Sequence, residues 1–244
     1  MLQAKNYREV DLGSNIIAIF TTRHGGVSAG PWAELNLSYG GDDDPASVTQ
    51  NRKAVAETVG APLVGMRQVH GGHVAEVQSE VSGPPPEADA LVTTNPEIAL
   101  TVLVADCVPV LLADPNSAVV ATAHAGRRGL IAGIIPATLE KMRRHGADLA
   151  NVQAAIGPAI CGNCYEVPAA MRGQVTAIIP ATESKTSWGT AGLDLPAGVK
   201  SQLHAAGVDK VHQVGNCTYE DLDYYSYRRN SQTGRAAGVI RLKA

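Results

Sequence analysis

The chain has 244 residues, a formal net charge of −3 at pH 7, 45% hydrophobic and only 4% aromatic residues, with Phe20 its one phenylalanine. No long basic run marks a nucleic-acid partner, and no stretch approaches the roughly 20 uninterrupted apolar residues of a membrane-spanning helix. The first fifteen residues carry no basic-then-apolar leader pattern, so a soluble cytoplasmic protein is expected, with cysteines used for thiolate chemistry or burial rather than a disulfide framework.

With aromatics scarce, Ala, Val, Leu and Ile must fill the core, which suits sheets covered by helices. Residues 16–21 are apolar and β-branched and predict a strand. Asp44-Pro45 followed by 46–59 reads as a helix with an acidic start and Gly60 as its stop. Residues 74–77 and 90–94 predict short strands, and the 82–86 segment between them, Ser-Gly-Pro-Pro-Pro, a stiff surface loop within one domain. Residues 98–112 form a long apolar run interrupted by Asp106-Cys107 and Pro109. A buried strand is expected over 118–123. Helical spacing then covers 126–146, with Lys141, Arg143, Arg144 and His145 near its C-terminal end, where cations favour the helix dipole. A strand over 152–156 ends at Gly157-Pro158, helices are predicted over 168–179 and 196–206, and strands over 208–214 and 239–242. Helices and strands mix without strict alternation and without internal repeats. The expected fold class is therefore mixed α/β (α+β), a single layered domain over 1–244 with mixed β-sheets flanked by helices.

Three segments place a polar or metal-competent residue at the end of an apolar run: 67–71, 104–109 and 123–129. In the third, His124 ends a buried strand just before Gly126 and a helix start. The free N–H groups there, with Arg127 and Arg128, suit a phosphate or carboxylate; the plainer alternative is a strand–helix turn with two solvated arginines. In the second, Cys107 follows Asp106 where a strand should end. Pro109 marks irregular backbone, a frequent setting for a site, against the alternative of a small buried thiol. In an extended segment Asp106 and Cys107 point to opposite faces, which leaves Asp106 as a turn or backbone cap. In the first, Gln68 and His70 share a face if the chain is extended. No local spacing links His70, Cys107 and His124. Two neutral imidazoles and one thiolate make a soft donor set, and with an open fourth position they would form a catalytic zinc site.

Cys161 and Cys164 form a C-x-x-C. A structural zinc would want a second such pair and only Cys217 remains; no thioredoxin-like context precedes it. Two thiols in a loop are expected. The run from Cys217 through 225–229 to Arg235 is rich in hydroxyls and guanidinium groups, which either line a polar pocket or hold loops together.

Taken together, Thr21 to Ser28 (T-T-R-H-G-G-V-S), Leu35-Asn36-Leu37, Asn51-Arg52, Q-V-H-G over 68–71, A-D-A-L-V-T over 88–93, A-D-C-V-P-V over 105–110, His124-Ala125-Gly126 with Arg128-Gly129, I-G-P over 156–158, Y-E-V over 165–167 and S-Y-R-R over 226–229 resemble the YfiH family, also called the laccase-domain or multicopper polyphenol oxidoreductase family (DUF152). The resemblance covers nearly the whole chain. It implies a layered α/β fold of its own type and one catalytic Zn2+ held by His70, Cys107 and His124. It further implies phosphorolysis of purine nucleosides (adenosine, inosine and methylthioadenosine) with adenosine deamination, so that the partners are small purine nucleosides and phosphate, with no nucleic acid and no membrane; it sets no oligomeric state. The laccase label implies copper (Cu2+), and a bacterial branch is associated with peptidoglycan editing. One departure is that Arg127 stands where the family usually has tryptophan. On this reading Arg128, with Arg127 or Arg67, positions phosphate; Gln68 and Asn36 bond the nucleoside; Asp89 and Asp106 orient ligands or loops. The alternatives are a copper-dependent polyphenol oxidase, a peptidoglycan-editing hydrolase with Cys107 as nucleophile and His124 as base, and a metal-containing binding protein without turnover. The first is disfavoured because a multicopper cluster needs many histidines, often as His-x-His pairs, and this chain has 7 histidines and no such pair.

Overall fold

In the computed structural model, residues 1–80 and 83–243 are described; Ser82, the start of the predicted 82–86 loop, lies outside them. In chain order the strands are β1 (Tyr7–Glu9), β2 (Ile16–Thr21), β3 (Leu63–Val64), β4 (Val74–Glu76), β5 (Ala90–Thr93), β6 (Ala99–Val104), β7 (Val108–Asp114), β8 (Val119–Ala125), β9 (Gln153–Ile156), β10 (Glu183–Lys185), β11 (Ala191–Leu193), β12 (Lys210–Gln213) and β13 (Ala236–Leu242). The helices are α1 (Pro45–Val59), α2 (Arg127–Ile131), α3 (Ile134–Arg144), α4 (Ala169–Thr176) and α5 (Leu195–Ala205).

The strands build a five-stranded sheet in the order β1-β2-β13-β6-β3, a six-stranded sheet in the order β12-β9-β7-β8-β5-β4, and a small β10-β11 ribbon. Both large sheets are mixed: β3 with β6, β12 with β9 and β4 with β5 run parallel, the other pairs antiparallel. The period-2 alternation of strand side chains sorts the core into layers. On β7, Val108, Val110 and Leu112 face one way, into a cluster with Leu130, Ile134, Ile135, Leu139 and Val199 of the helices. Leu111 and Ala113 face the other way, meeting Phe20, Leu100, Val102 and Ile240 of the five-stranded sheet. The far face of that sheet packs Ile19, Ala99 and Val239 against Val55 and Val59 of α1. The result is four layers: helix, sheet, sheet, helices. Phe20 fills the space between the sheets, and burying such a side chain contributes roughly 1.5–3 kcal/mol. Gly157 makes room for it, since a Cβ there would lie 2.3 Å from Phe20 Cε1.

Local chemistry places most boundaries where the sequence puts them. Asp44 caps α1 by accepting from the Ala46 and Ser47 N–H groups, Pro45 occupies the first turn, and Gly60 ends the helix with φ 74. The single helix expected over 126–146 is instead two. It breaks at Gly133, φ 80, three residues before Pro136, whose ring has no N–H for the Ala132 carbonyl and would clash with it in a continuous helix; the 71–72 backbone packs against the same turn, where a Cβ on Gly72 would lie 2.8 Å from the Ala132 carbonyl. Pro109 is not irregular, since it sits within β7 opposite His124. Its carbonyl accepts the Gly157 N–H at 2.9 Å, so its ring nitrogen faces the same side, at the end of the β9 pairing, where the missing N–H costs only the last bond of that ladder. The irregular residue is Asp106, with φ 84. The predicted strands at 90–94, 118–123 and 239–242 shift by one to three residues at their ends. No helix among the described residues is long and apolar enough to cross a membrane.

Candidate metal centre and cleft

Two loops and the end of strand β8 bring His70, Cys107 and His124 together at one end of the sheets. Their donor atoms lie within 4.8 Å of one another. Cys107 sits in the short link that carries the chain from β6 in one sheet to β7 in the other. His124 is the penultimate residue of β8, and β7 and β8 are neighbours, so the two side chains emerge side by side. His70 comes from the 67–73 loop. His70 has φ 61 and Asp106 has φ 84, two strained backbone positions within one site. The Cys107 Sγ lies 3.9 Å from His70 Nε2, and the two imidazole rings meet edge-on at 4.7 Å. Gly126 permits this closeness: a Cβ there would lie 2.8 Å from His70 Cδ2 and 3.1 Å from Cys107 Sγ.

Asp89 organises the group. Its buried carboxylate accepts His124 Nδ1–H at 2.8 Å and the N–H groups of Val69, His70 and Gly71 at 3.2, 2.9 and 2.7 Å. The bond to Nδ1 leaves His124 Nε2 for the Cys107 side. Burial acts to raise the Asp89 carboxyl, but the His124 and Gly71 hydrogen bonds outweigh it and hold it below its ordinary range. Burial likewise pushes the Cys107 thiol up; the facing His124 and His70 imidazoles outweigh this and take it down to about 6. For His124 burial opposes charge, yet Asp89 and Cys107 raise it to about 9. A ready thiolate, two imidazoles and a carboxylate behind one of them fit a zinc ion: a soft N₂S set, a fixed tautomer, and a Gly126 cradle that a Cβ would fill.

The three residues form the floor of a cleft of about 440 Å³, a size that accommodates a small organic ligand. Leu103, Val104, Ile160, Leu195 and the rings of Tyr165 and Tyr227 supply apolar wall, and Arg127, Arg228 and Arg235 the positive charge. The Arg228 guanidinium lies over the Tyr165 ring at 5.0 Å. None of these three arginines pairs with a carboxylate among the described residues, where the arginine ion pairs belong to Arg8, Arg67, Arg143 and Arg144.

The remaining sequence candidates divide. Arg127 turns into the cleft, whereas Arg128 is exposed and lies outside its lining. Gln68 lines the cleft, but both ends of its amide are engaged: Nε2 donates to the Leu103 carbonyl at 2.8 Å and Oε1 accepts the Leu103 N–H at 2.9 Å. Arg67 pairs with Glu87 and borders an adjoining groove that shares Gln68, His70, Leu103 and Arg235 with the cleft. Asn36 is buried and braces backbone: its Nδ2 donates to Asp43 at 2.8 Å and its Oδ1 accepts the Arg235 N–H at 2.9 Å. Asp106 lines the cleft but ties loops, accepting from Thr218 Oγ1 at 2.7 Å and from the Arg228 N–H at 2.6 Å. The sequence reading did not separate Tyr165, Tyr227, Arg228 and Arg235 as cleft residues. Their signals were the Y-E-V and S-Y-R-R family motifs for Tyr165, Tyr227 and Arg228, and for Tyr227, Arg228 and Arg235 the density of hydroxyl and guanidinium groups near the C-terminus. Arg229, in the same run, is a loop holder that donates to the carbonyls of Thr218, Tyr219 and Tyr224.

Comparison with known proteins finds similarity over nearly the whole chain. The family model described as multi-copper polyphenol oxidoreductase laccase matches residues 17–243. A Streptomyces coelicolor protein named purine nucleoside phosphorylase SCO2081 is 52% identical over 225 residues, 91% of this chain and 93% of its own. A Pseudomonas aeruginosa protein named purine nucleoside phosphorylase PA4543 is 37% identical over 94% of this chain and 95% of its own. Among solved structures, Neisseria meningitidis NMB0706, titled as a DUF152 protein, superposes with TM-score 0.90 at 34% identity, covering 98% of this chain and 100% of that one. YlmD from Geobacillus stearothermophilus superposes with TM-score 0.91 at 30% identity, covering 100% and 98%.

Proposed function

The chain belongs to the multi-copper polyphenol oxidoreductase laccase family, and on that premise we propose that it is a zinc-dependent purine nucleoside phosphorylase. Its substrates are adenosine, inosine and methylthioadenosine, and it deaminates adenosine as a second activity. The observation that carries this reading is the meeting of His70, Cys107 and His124 on the floor of a cleft whose wall holds three arginines free of carboxylate partners among the described residues. The relatives named purine nucleoside phosphorylase support the substrate class.

In phosphorolysis a phosphate oxygen bonds to C1′ of the ribose as the C1′–N9 bond breaks, and the purine leaves with that electron pair. Arg127, Arg228 and Arg235 bind the phosphate dianion and aim it at the sugar. Tyr165, Tyr227, Leu195 and Ile160 give the purine an apolar wall. Arg127 supplies charge where the family usually has tryptophan, which biases this cleft toward its anionic substrate. His70, Cys107 and His124 hold the metal, and Asp89 keeps His124 in the tautomer that presents Nε2. Bound zinc supplies Lewis acidity beside the substrate and lowers the pKa of water there. In deamination a water oxygen adds at C6 of adenine and ammonia departs, with the base in the same cleft. The absence of His-x-His pairs argues against a multicopper cluster; copper in the single site would give weak oxidation at most, and zinc is the ion this proposal assigns to it.

One observation favours a second reading. The chain Asp89–His124–Cys107 has the order of an orienting carboxylate, a base and a nucleophile, which fits an editing hydrolase. The two readings separate in one experiment. Purified protein of known metal content is incubated with adenosine, with and without phosphate, and the products are followed by chromatography beside His124→Ala. Phosphate-dependent adenine release or inosine formation, lost in the variant and on chelation, is the expected result. A zinc-loaded protein that yields neither product contradicts the proposal, and activity that survives chelation but not alkylation of Cys107 moves the assignment to the hydrolase.

A further inference from the structure

Away from the cleft floor the fold assembles a second sulfur-rich group. Cys161 and Cys164 lie in the turn after β9, and Cys217 and Glu220 in the loop after β12. Because β9 and β12 are parallel neighbours, both loops leave the same end of the sheet. An isolated bridge between Ala159 and Cys217 continues the pairing beyond the strands, and the Thr218 N–H donates to the Ala159 carbonyl at 3.1 Å. This register draws the sulfurs of Cys161, Cys164 and Cys217 and a carboxylate oxygen of Glu220 within 4.8 Å of one another. We propose that Cys161, Cys164 and Cys217 hold a structural zinc ion, with Glu220 closing the fourth position.

The surroundings are those of a ligand loop rather than of three buried thiols. The N–H groups of Cys164 and Tyr165 both donate to the Cys161 carbonyl, at 3.0 and 2.9 Å, which folds the C-x-x-C into a tight turn. The Cys161 N–H is directed at the Cys217 sulfur at 3.4 Å. A peptide N–H aimed at sulfur favours the thiolate, the form that binds metal. The dimensions also suit zinc, because four ligands about 2.3 Å from an ion stand roughly 3.8 Å apart, a short inward adjustment from the arrangement here. A disulfide would use two of the three sulfurs and leave the third, and Glu220, without a role. Cys164 is buried, Cys161 and Cys217 are half-buried and Glu220 is exposed, so the carboxylate closes the site from the solvent side.

The proposed ion staples the two loops that wall the cleft. Ile160 and Tyr165 flank the C-x-x-C and line the cleft. Thr218, next to Cys217, donates to Asp106, next to Cys107. The site is independent of the reaction assigned to the cleft, and its test does not use activity. Full-length protein purified under reducing conditions should contain two zinc ions per chain by elemental mass spectrometry. Cys107→Ser should retain one of them, and Cys164→Ser or Cys217→Ser should also retain one. In Cys107→Ser, cobalt loaded in place of zinc should show an intense sulfur-to-cobalt charge-transfer band, because the remaining cysteines are those of the second group. Should the cysteine variants misfold, Glu220→Gln, at an exposed position, should keep the far-UV spectrum and lose the second zinc to a competing chelator at least tenfold more readily. A zinc content that Cys164→Ser and Cys217→Ser leave unchanged, no zinc retained in Cys107→Ser, no cobalt–sulfur band in Cys107→Ser, or a disulfide among these three cysteines in the protein as isolated would overturn the proposal.

Discussion

Asp89→Asn is the sharpest probe of how the candidate metal centre is built. Oδ1 of Asp89 accepts from His70 N–H at 2.9 Å and His124 Nδ1–H at 2.8 Å, while Oδ2 accepts from Val69 and Gly71 at 3.2 and 2.7 Å. Asparagine has one oxygen and one NH₂, so one pair of donors must face another donor. If the NH₂ replaces Oδ2, the 69–71 backbone loses its anchor and His70 loosens. If it replaces Oδ1, His124 must turn to the tautomer that accepts at Nδ1, and Nε2 then carries a proton and cannot ligate. Hydrogen bonds to a charged group contribute about 1.5–3 kcal/mol each, so losing two destabilises the fold by roughly 3–6 kcal/mol, before relaxation reduces the figure. At about 2–4 °C per kcal/mol for a chain of this length, a fall in Tm on the order of 10 °C is expected. Metal affinity should fall about 10–100-fold, the usual effect of removing the group that orients a ligand. The assays are thermal unfolding of metal-free protein and zinc competition against a chromophoric chelator. Wild-type zinc affinity within twofold, together with an unchanged Tm, would refute the role given to Asp89.

Four further outcomes follow from the same geometry. In chelated protein, alkylation of Cys107, mapped by peptide mass spectrometry, should be fast at neutral pH and fall as pH drops through about 6. His124→Ala should shift that midpoint upward, because it removes the cation that depresses the thiol. Gly126→Ala should weaken zinc binding at least tenfold by equilibrium competition, since its Cβ would press on His70 and Cys107, while overpacking lowers stability by only about 1–3 kcal/mol. Arg127→Ala should raise the KM for phosphate about tenfold or more in steady-state kinetics, whereas the exposed Arg128→Ala should leave it within twofold. Gly157→Ala should cost at least about 2 kcal/mol in denaturant unfolding, because the added methyl would overlap the Phe20 ring between the sheets.

The parts of this architecture that local rules control are readable in the chain. The Asp44-Pro45 start and Gly60 stop of α1, the β2 run and the alternation along β7 each follow from capping, propensity or period. The split at Gly133 marks the limit of reading periodicity alone: the apolar spacing of 126–146 runs on, but Gly133 takes φ 80 and Pro136 cannot bond the Ala132 carbonyl. The metal-ligand group shows the same limit. Composition and spacing mark His70, Cys107 and His124 only as chemically able, and the family resemblance joins them; the side-by-side placement of β7 and β8 and the Asp89 anchor bring the three donors to one point. Asp89 is a single acid before a strand to local rules, and only the family resemblance marks it as a residue that orients ligands. The arginines show what spacing hides. The resemblance puts Arg128 first as the phosphate residue, but the turn into α2 sends Arg127 into the cleft and Arg128 to solvent. Cys161, Cys164 and Cys217 looked one ligand short, because Glu220 joins them only through the parallel pairing of β9 with β12.

The central claim is best tested by the stoichiometry of inosine cleavage. With phosphate varied, wild-type protein should release hypoxanthine and ribose 1-phosphate in equal amounts at a rate that saturates with phosphate, and His70→Ala, Cys107→Ala and His124→Ala should each lose at least about a thousandfold in kcat/KM, an expected ΔΔG‡ near 4 kcal/mol. Hypoxanthine released without ribose 1-phosphate, a rate indifferent to phosphate, or full activity in any of the three variants would contradict it.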